Sequence, residues 1–154
     1  MFREMRRKDR KVSDADAEAL LGRGEYGILS TVCSSGYAYG VPLSYVYKDG
    51  SIYFHCAQEG LKVENIEANN KVSFCVVGNT EVLADKFSTR YESVIVFGTA
   101  EQISGVEKEA AMEALIEKYS RDYMEQGLEY IKKAFDITRL YRISMEHISA
   151  KARR

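Results

Sequence analysis

The sequence predicts a mainly β protein, an antiparallel barrel or strongly curled sheet with helices at its side. Three observations carry that expectation. Apolar runs of strand length recur between residues 26 and 103, separated by tight turn signals such as Ser34-Ser35-Gly36 and Lys48-Asp49-Gly50; Asp-Gly between alternating runs is hairpin chemistry. Turns this short leave no room for the crossover helices that parallel strands need, so a run of βαβ units is excluded. Helical spacing is confined to a short segment before the first strand, one or two turns at 62–68, and a longer block at 105–135.

Composition sets the outer bounds. A chain of 154 residues corresponds to one domain, large enough to bury a core without metal or disulfide staples. Hydrophobic residues at 45% and charged residues at 29% are ordinary globular values. A net charge of −1 supplies no overall attraction to nucleic acid. Cys33, Cys56 and Cys75 are scattered within apolar runs; with His55 and His147 equally isolated, no metal-ligand spacing exists, and buried free thiols are expected. The basic start lacks a following apolar stretch and no run approaches a membrane span, so a cytoplasmic protein is expected.

The elements follow in order. Residues 1–12 form a basic segment, rich in Arg and Lys, expected to be solvated or to touch one phosphate group of a ligand. Ser13, with Asp16 three residues on, offers a helix N-cap, and Gly22 or Gly24 ends the helix that carries Ala17, Leu20 and Leu21 on one face. Residues 27–33 are apolar on both faces, as in a strand buried on two sides.

Residues 37–47 then alternate strictly. Tyr37, Tyr39, Val41, Leu43, Tyr45 and Tyr47 are large, while Ala38, Gly40, Pro42 and Ser44 are small. One long strand with a bulky face and a nearly bare face is predicted. Residues 51–56 return from the hairpin, 71–77 form the next strand, and 78–90 read as an irregular surface loop. Residues 91–103 are strand-rich but interrupted by Gly98. Ser104-Gly105-Val106-Glu107 has the form of a capping box and opens a helix with Met112, Leu115, Ile116 and Tyr119 at helical spacing. A more polar helix follows, and a last strand spans roughly 137–144. The sum is about six strands in an antiparallel meander.

Three features bear on chemistry. The Gly40, Pro42, Ser44 face is shallow enough for a flat aromatic ligand to approach the backbone, although such a face can equally pack on a helix; Pro42, the sole proline, withholds a ladder donor and marks an edge or irregularity. Lys62 in a first helical turn after Gly60 places a cation beside free backbone donors, an arrangement suited to phosphate; an ordinary surface lysine has the same sequence signature. His55 ends its strand without a visible acidic partner. It is either a proton donor or a polar strand-end residue.

These segments occur in a telling order: Arg6-Arg7-Lys8-Asp9-Arg10, Val41-Pro42-Leu43-Ser44-Tyr45, Ile52-Tyr53-Phe54-His55-Cys56-Ala57 with Gly60 and Lys62, then Tyr91-Glu92-Ser93-Val94 with Gly98. The series resembles the pyridoxamine 5′-phosphate oxidase-like flavin-binding proteins, and most closely their nitroimidazole-resistance (Nim-type) branch. The resemblance spans residues 1–154 as a single domain and implies a six-stranded antiparallel split β-barrel that dimerises and holds FMN at the dimer interface. It assigns Val41, Pro42, Leu43, Ser44 and Tyr45 to the flavin ring, and His55, Cys56 and Ala57 to the same cleft. It also assigns Lys62 to the phosphate and Ser93 and Val94 to an interface-facing strand, with His55 near the reacting part of the flavin. The implied activity is flavin-mediated reduction of a small acceptor, with nitro-group reduction as the branch's namesake reaction; a non-catalytic flavin or haem binder and a deazaflavin-using relative are the alternatives. The tail, 148–154, does not match the Arg-rich contacts of the strict oxidases, which argues against pyridoxamine phosphate as substrate.

Overall fold

Ser13 opens the first helix as expected: its hydroxyl accepts the Asp16 amide at 3.1 Å. This helix, α1 (Asp14–Arg23), buries Ala17, Leu20 and Leu21 and ends at Gly24. The computed structural model describes residues 1–154. Eight strands follow: β1 (Gly27–Val32), β2 (Ala38–Leu43), β3 (Val46–Lys48), β4 (Ser51–Cys56), β5 (Lys71–Val77), β6 (Glu81–Leu83), β7 (Ser88–Ile103) and β8 (Arg139–Arg153). Helix α2 (Leu61–Ala68) lies between β4 and β5, and α3 (Gly105–Ser120) and α4 (Met124–Ala134) precede β8.

Every strand pairing is antiparallel. The order across the sheet is β2-β1-β5-β7-β8-β4-β3, with β6 paired to β7. It is not the simple meander that the turns suggested, because β1 lies beside β5 and β4 beside β8. The two outermost strands, β2 and β3, are consecutive in the chain with only Ser44 and Tyr45 between them. Three residue steps from Leu43 to Val46 reach at most about 11 Å. Both edges must therefore come together, which curls the sheet into a split barrel. The expected long strand 37–47 is thus one passage that leaves one sheet edge and joins the other.

Inside the curl, Leu29, Tyr45, Ile52, Phe54, Phe74, Val94, Val96 and Ile143 form a core to which α1 adds Leu20 and Leu21. Phe54 stacks on Tyr141 with ring centroids 5.4 Å apart. The outer surface of the sheet divides in two. Over β3, β4 and the start of β8, helices α3 and α4 cover Val46, Tyr53, Leu140 and Ile103 with Met112, Leu115 and Ile131. Over β2, β1, β5 and β7 up to Phe97, no helix lies on the outer face.

Several local features differ from the sequence expectation. Residues 78–90 include β6, which pairs with the first residues of a longer β7. Strand β8 continues to Arg153 instead of stopping near 144, because β7 remains available as its partner throughout. Gly98 does mark an irregularity: the register slips between Phe97 and Gly98, opposite His147 and Met145, leaving Glu146 as the extra residue. A side chain at Gly98 would collide with the Ser144 carbonyl, so the bulge requires glycine. Ser104 makes no side-chain cap. Glu107 is instead drawn to Arg142, at 2.7 and 2.8 Å, and accepts the Tyr53 hydroxyl at 3.0 Å, which pins the start of α3 to the sheet. The basic segment is bound along much of its length: Lys11 bridges Lys151, and Phe2 stacks on Phe97 and His147 at 5.4 and 4.9 Å.

Candidate flavin site

The predicted bare strand is bare on the side away from the core. Ala38, Gly40, Pro42 and Ser44 are exposed, Tyr39, Val41 and Leu43 are half-buried, and Tyr45 is fully buried. Strand β2 is a sheet edge, where proline costs no ladder bond on its free side. A Cβ built on Gly40 meets only ordinary contacts, the nearest being Ile28 at 3.4 Å. Close packing therefore does not demand the glycine. Its effect is an open, shallow surface over backbone.

Strand β4 brings the histidine to the same corner. Val46 pairs with Tyr53, so the segment that ends at Tyr45 enters β3 beside the strand that carries His55. Alternation along β4 points Phe54 and Cys56 into the core and leaves His55 on the outer face, with Ala57 exposed just beyond the strand. The Cys56 thiol is pushed up by burial, against the pull of Lys62 and Arg139. It is thus a protonated core group, and only its backbone faces the corner.

Gly60 has φ 145° and begins α2 with no side-chain cap, so the first amides of the helix are not satisfied by a capping group. Lys62 is half-buried there and forms no ion pair. An unpaired cation beside free donors at a helix start is suited to a phosphate group. Partial burial, and then the nearby Lys62 charge, lower the His55 imidazole from its ordinary value. Both effects favour the neutral imidazole.

Two further features escaped the sequence reading. Arg139, opposite Cys56 in the β4–β8 ladder, donates to Gln58 at 3.3 Å and to Glu67 and Gln102 at 3.2 Å. It ties the loop before α2 to the sheet and adds positive charge to the corner. Its only sequence signal was position in an alternating strand. A narrow apolar slot of about 60 Å³ also opens beside His55, walled by Met112, Leu115, Ile116, Tyr130 and Thr138; only the packing of α3 on α4 creates it.

Ser93 and Val94 lie elsewhere. Val94 is in the core and Ser93 is half-buried on the outer face, paired with Val77 and Lys151. His55 instead faces Leu140, which pairs with Ile103 at the far end of β7. Roughly 30 Å of strand separates the two places. Within one chain Lys62 lies close enough to His55 to act on its charge, the 41–45 segment leads into the strand beside β4, and Ser93 and Val94 lie apart.

The fold recurs in solved structures. A putative 5-nitroimidazole antibiotic resistance protein from Bacteroides thetaiotaomicron matches at a TM-score of 0.75 and 20% identity, over 92% of this chain and 85% of that one. A conserved hypothetical protein from Mycobacterium tuberculosis gives 0.83 and 18%, over 97% and 90%. A FAD and heme binding protein from Mycobacterium smegmatis gives 0.81 and 17%, over 93% and 73%. At these identities the likeness is one of fold. A search of curated proteins finds no match. The model of the pyridoxamine 5′-phosphate oxidase family matches residues 13–152; with a curled antiparallel sheet and a phosphate-suited corner beside a bare strand, this chain belongs to that flavin-binding split-barrel family.

Proposed function

We propose that the chain is an FMN-dependent oxidoreductase that reduces small acceptors, nitro compounds of the nitroimidazole kind among them, and that it works as a homodimer. The observation that carries this reading is unpaired Lys62 at the uncapped start of α2, close enough to His55 to lower its imidazole, with the bare Pro42 and Ser44 face on the segment that leads into the strand beside β4. Lys62 and the first amides of α2 hold the phosphate, and segment 41–45 supports the ring. FMN supplies the redox step, taking electrons from a reduced nicotinamide or similar donor and passing them to the acceptor. His55 acts at the acceptor. A phosphate paired with Lys62 would offset the smaller of the two effects that lower His55, burial being the larger, and would ease its protonation. The slot beside His55 takes an apolar edge of the acceptor. FMN is favoured over a dinucleotide because the corner offers one phosphate seat.

Dimerisation is supported by the separation of Ser93 and Val94 from His55. A second copy laid on the open outer face would bring its own Ser93 region to the first copy's corner. That face is apolar where no helix covers it: Ile95 and Phe97 are 38% and 41% exposed.

A second reading, a flavin or haem holder without turnover, is favoured by the absence of any acidic partner for His55 and by the fold shared with the FAD and heme binding protein. The test is the visible spectrum of the purified protein and of Lys62→Ala, followed by reduction and addition of a nitroimidazole. A flavin band lost in the variant, with reoxidation driven by the acceptor, fits the oxidoreductase. Reoxidation by oxygen alone fits the holder. A chain that takes up no flavin defeats both.

A further inference from the structure

We propose that Tyr119 and Lys118, at the end of α3, are positioning residues that fix the backbone of the ring-supporting segment at Tyr45; this rests on the assignment of 41–45 to the flavin. The chain must break its ladder where it passes from β2 to β3, so Tyr45 belongs to neither strand, yet it is fully buried. A buried amide and carbonyl outside any ladder need partners from elsewhere. Both come from α3. The Tyr119 hydroxyl accepts the Tyr45 amide at 3.0 Å and donates to the Glu25 carbonyl at 2.7 Å. The Lys118 ammonium donates to the Tyr45 carbonyl at 3.0 Å and sits 3.8 Å from the centroid of the Tyr45 ring. The Tyr45 hydroxyl donates to the Leu21 carbonyl at 2.5 Å, which anchors the far end of the same side chain.

Segment 41–45 is thereby held from behind. Its outward side carries only Pro42 and Ser44, its inward Tyr45 ring is tied to α1 through Leu21, and its backbone at Tyr45 is tied to α3 through Tyr119 and Lys118. The helical block 105–135 then has a purpose besides covering the sheet: it sets the height and tilt of the backbone on which the ring lies. Two adjacent residues can do this because Tyr45 presents its amide and its carbonyl to the same helix end.

The test uses full-length Tyr119→Phe, which keeps the ring and removes the hydroxyl, and Lys118→Met, which keeps the stem and removes the charge. Amide hydrogen exchange at Tyr45 reads the clamp directly, and FMN titration with the bound-flavin spectrum reads its consequence. In Tyr119→Phe the Tyr45 amide should lose protection and FMN affinity should fall on the order of ten-fold, with a displaced flavin band, because a buried amide is left without its partner. Lys118→Met should show a smaller fall in affinity with the Tyr45 amide still protected. Unchanged protection overturns the clamp. Lost protection with FMN affinity and spectrum unchanged reduces it to a structural contact and overturns the positioning role. A wild-type chain that binds no FMN while Tyr119→Phe still exposes the amide overturns the flavin reading and the positioning role with it, leaving the clamp itself established.

Discussion

The two halves of the outer sheet surface were built from the same alternating pattern and ended differently. On the half formed by β3, β4 and the start of β8, the outward Tyr53 and Leu140 are 7% and 0% exposed, because α3 and α4 lie on them. On the half formed by β2, β1, β5 and β7, the outward row Pro42, Ile28, Cys75, Ile95 runs in register across the strands with nothing from a helix above it. A sheet needs both faces satisfied when both carry apolar side chains. The covered half satisfies its outer face within the chain. The open half leaves Ile95 and Phe97 partly exposed, and it is the face on which the proposed second copy would lie. The candidate site lies between them, at the edge where α3 and α4 stop and the bare strand begins.

The contrast is broken most strongly from the covered side. Leu140→Ala removes a fully buried side chain under α3 and α4 and should cost about 2–5 kcal/mol of folding stability, read from the denaturant midpoint; a loss near zero would mean that the helices are not seated on the sheet. The open side should answer in association instead of folding. Ile95→Asp places a charge at a position 38% exposed in the single chain, so monomer stability should move by no more than about 0.5 kcal/mol. Sedimentation should nonetheless report half the wild-type mass. A variant that remains dimeric would move the interface off this face.

Phe2 sharpens the same comparison, since it is what the chain itself lays over the open half. Its stacking on Phe97 and His147 is worth about 0.5–1.5 kcal/mol in such aromatic contacts. Phe2→Ala should lose that together with part of the roughly 1.5–3 kcal/mol that full burial of such a ring is worth in thermal unfolding of the Ile95→Asp background, where association no longer contributes. A larger loss would make the basic segment part of the folding core.

How much of this was legible in the sequence follows from what sequence patterns report. Alternation and turn chemistry gave the strands, the caps of α1 and the bare face of β2, because these depend on near neighbours. The break at Tyr45 was not legible: the large–small alternation runs unbroken through 37–47, and only pairing with two distant edges divides it. The last nine residues of β8 looked like a tail because their partner, β7, lies about fifty residues upstream. Glu107 carried the sign of a capping box, and a longer-range guanidinium outcompeted the local cap. At the site, Lys62 and His55 were visible as local residue types. Arg139, Lys118 and Tyr119 were not, since each acts through a contact more than thirty residues away in sequence.

The remaining expected effect concerns Lys118. Burial against Tyr45 lowers its ammonium to about 8 from an ordinary 10.5, so between those values the unfolded chain holds more protons than the folded one. Stability contributed by this group is therefore fully present above pH 10.5 and is lost as pH falls through 8. Other groups act in the opposite sense at the top of the range: burial raises Cys56, Cys75 and Tyr45, and their folded-state preference for the protonated form weakens the fold as pH climbs past 9. These are common to wild type and Lys118→Met, so the informative quantity is the difference between the two stability profiles from pH 7 to pH 9.5. Wild type should gain on the variant as pH rises through 8. Parallel profiles would mean that the ammonium is hydrated where the structure places it against the Tyr45 ring, and that the end of α3 is looser on the barrel than its hydrogen bonds indicate.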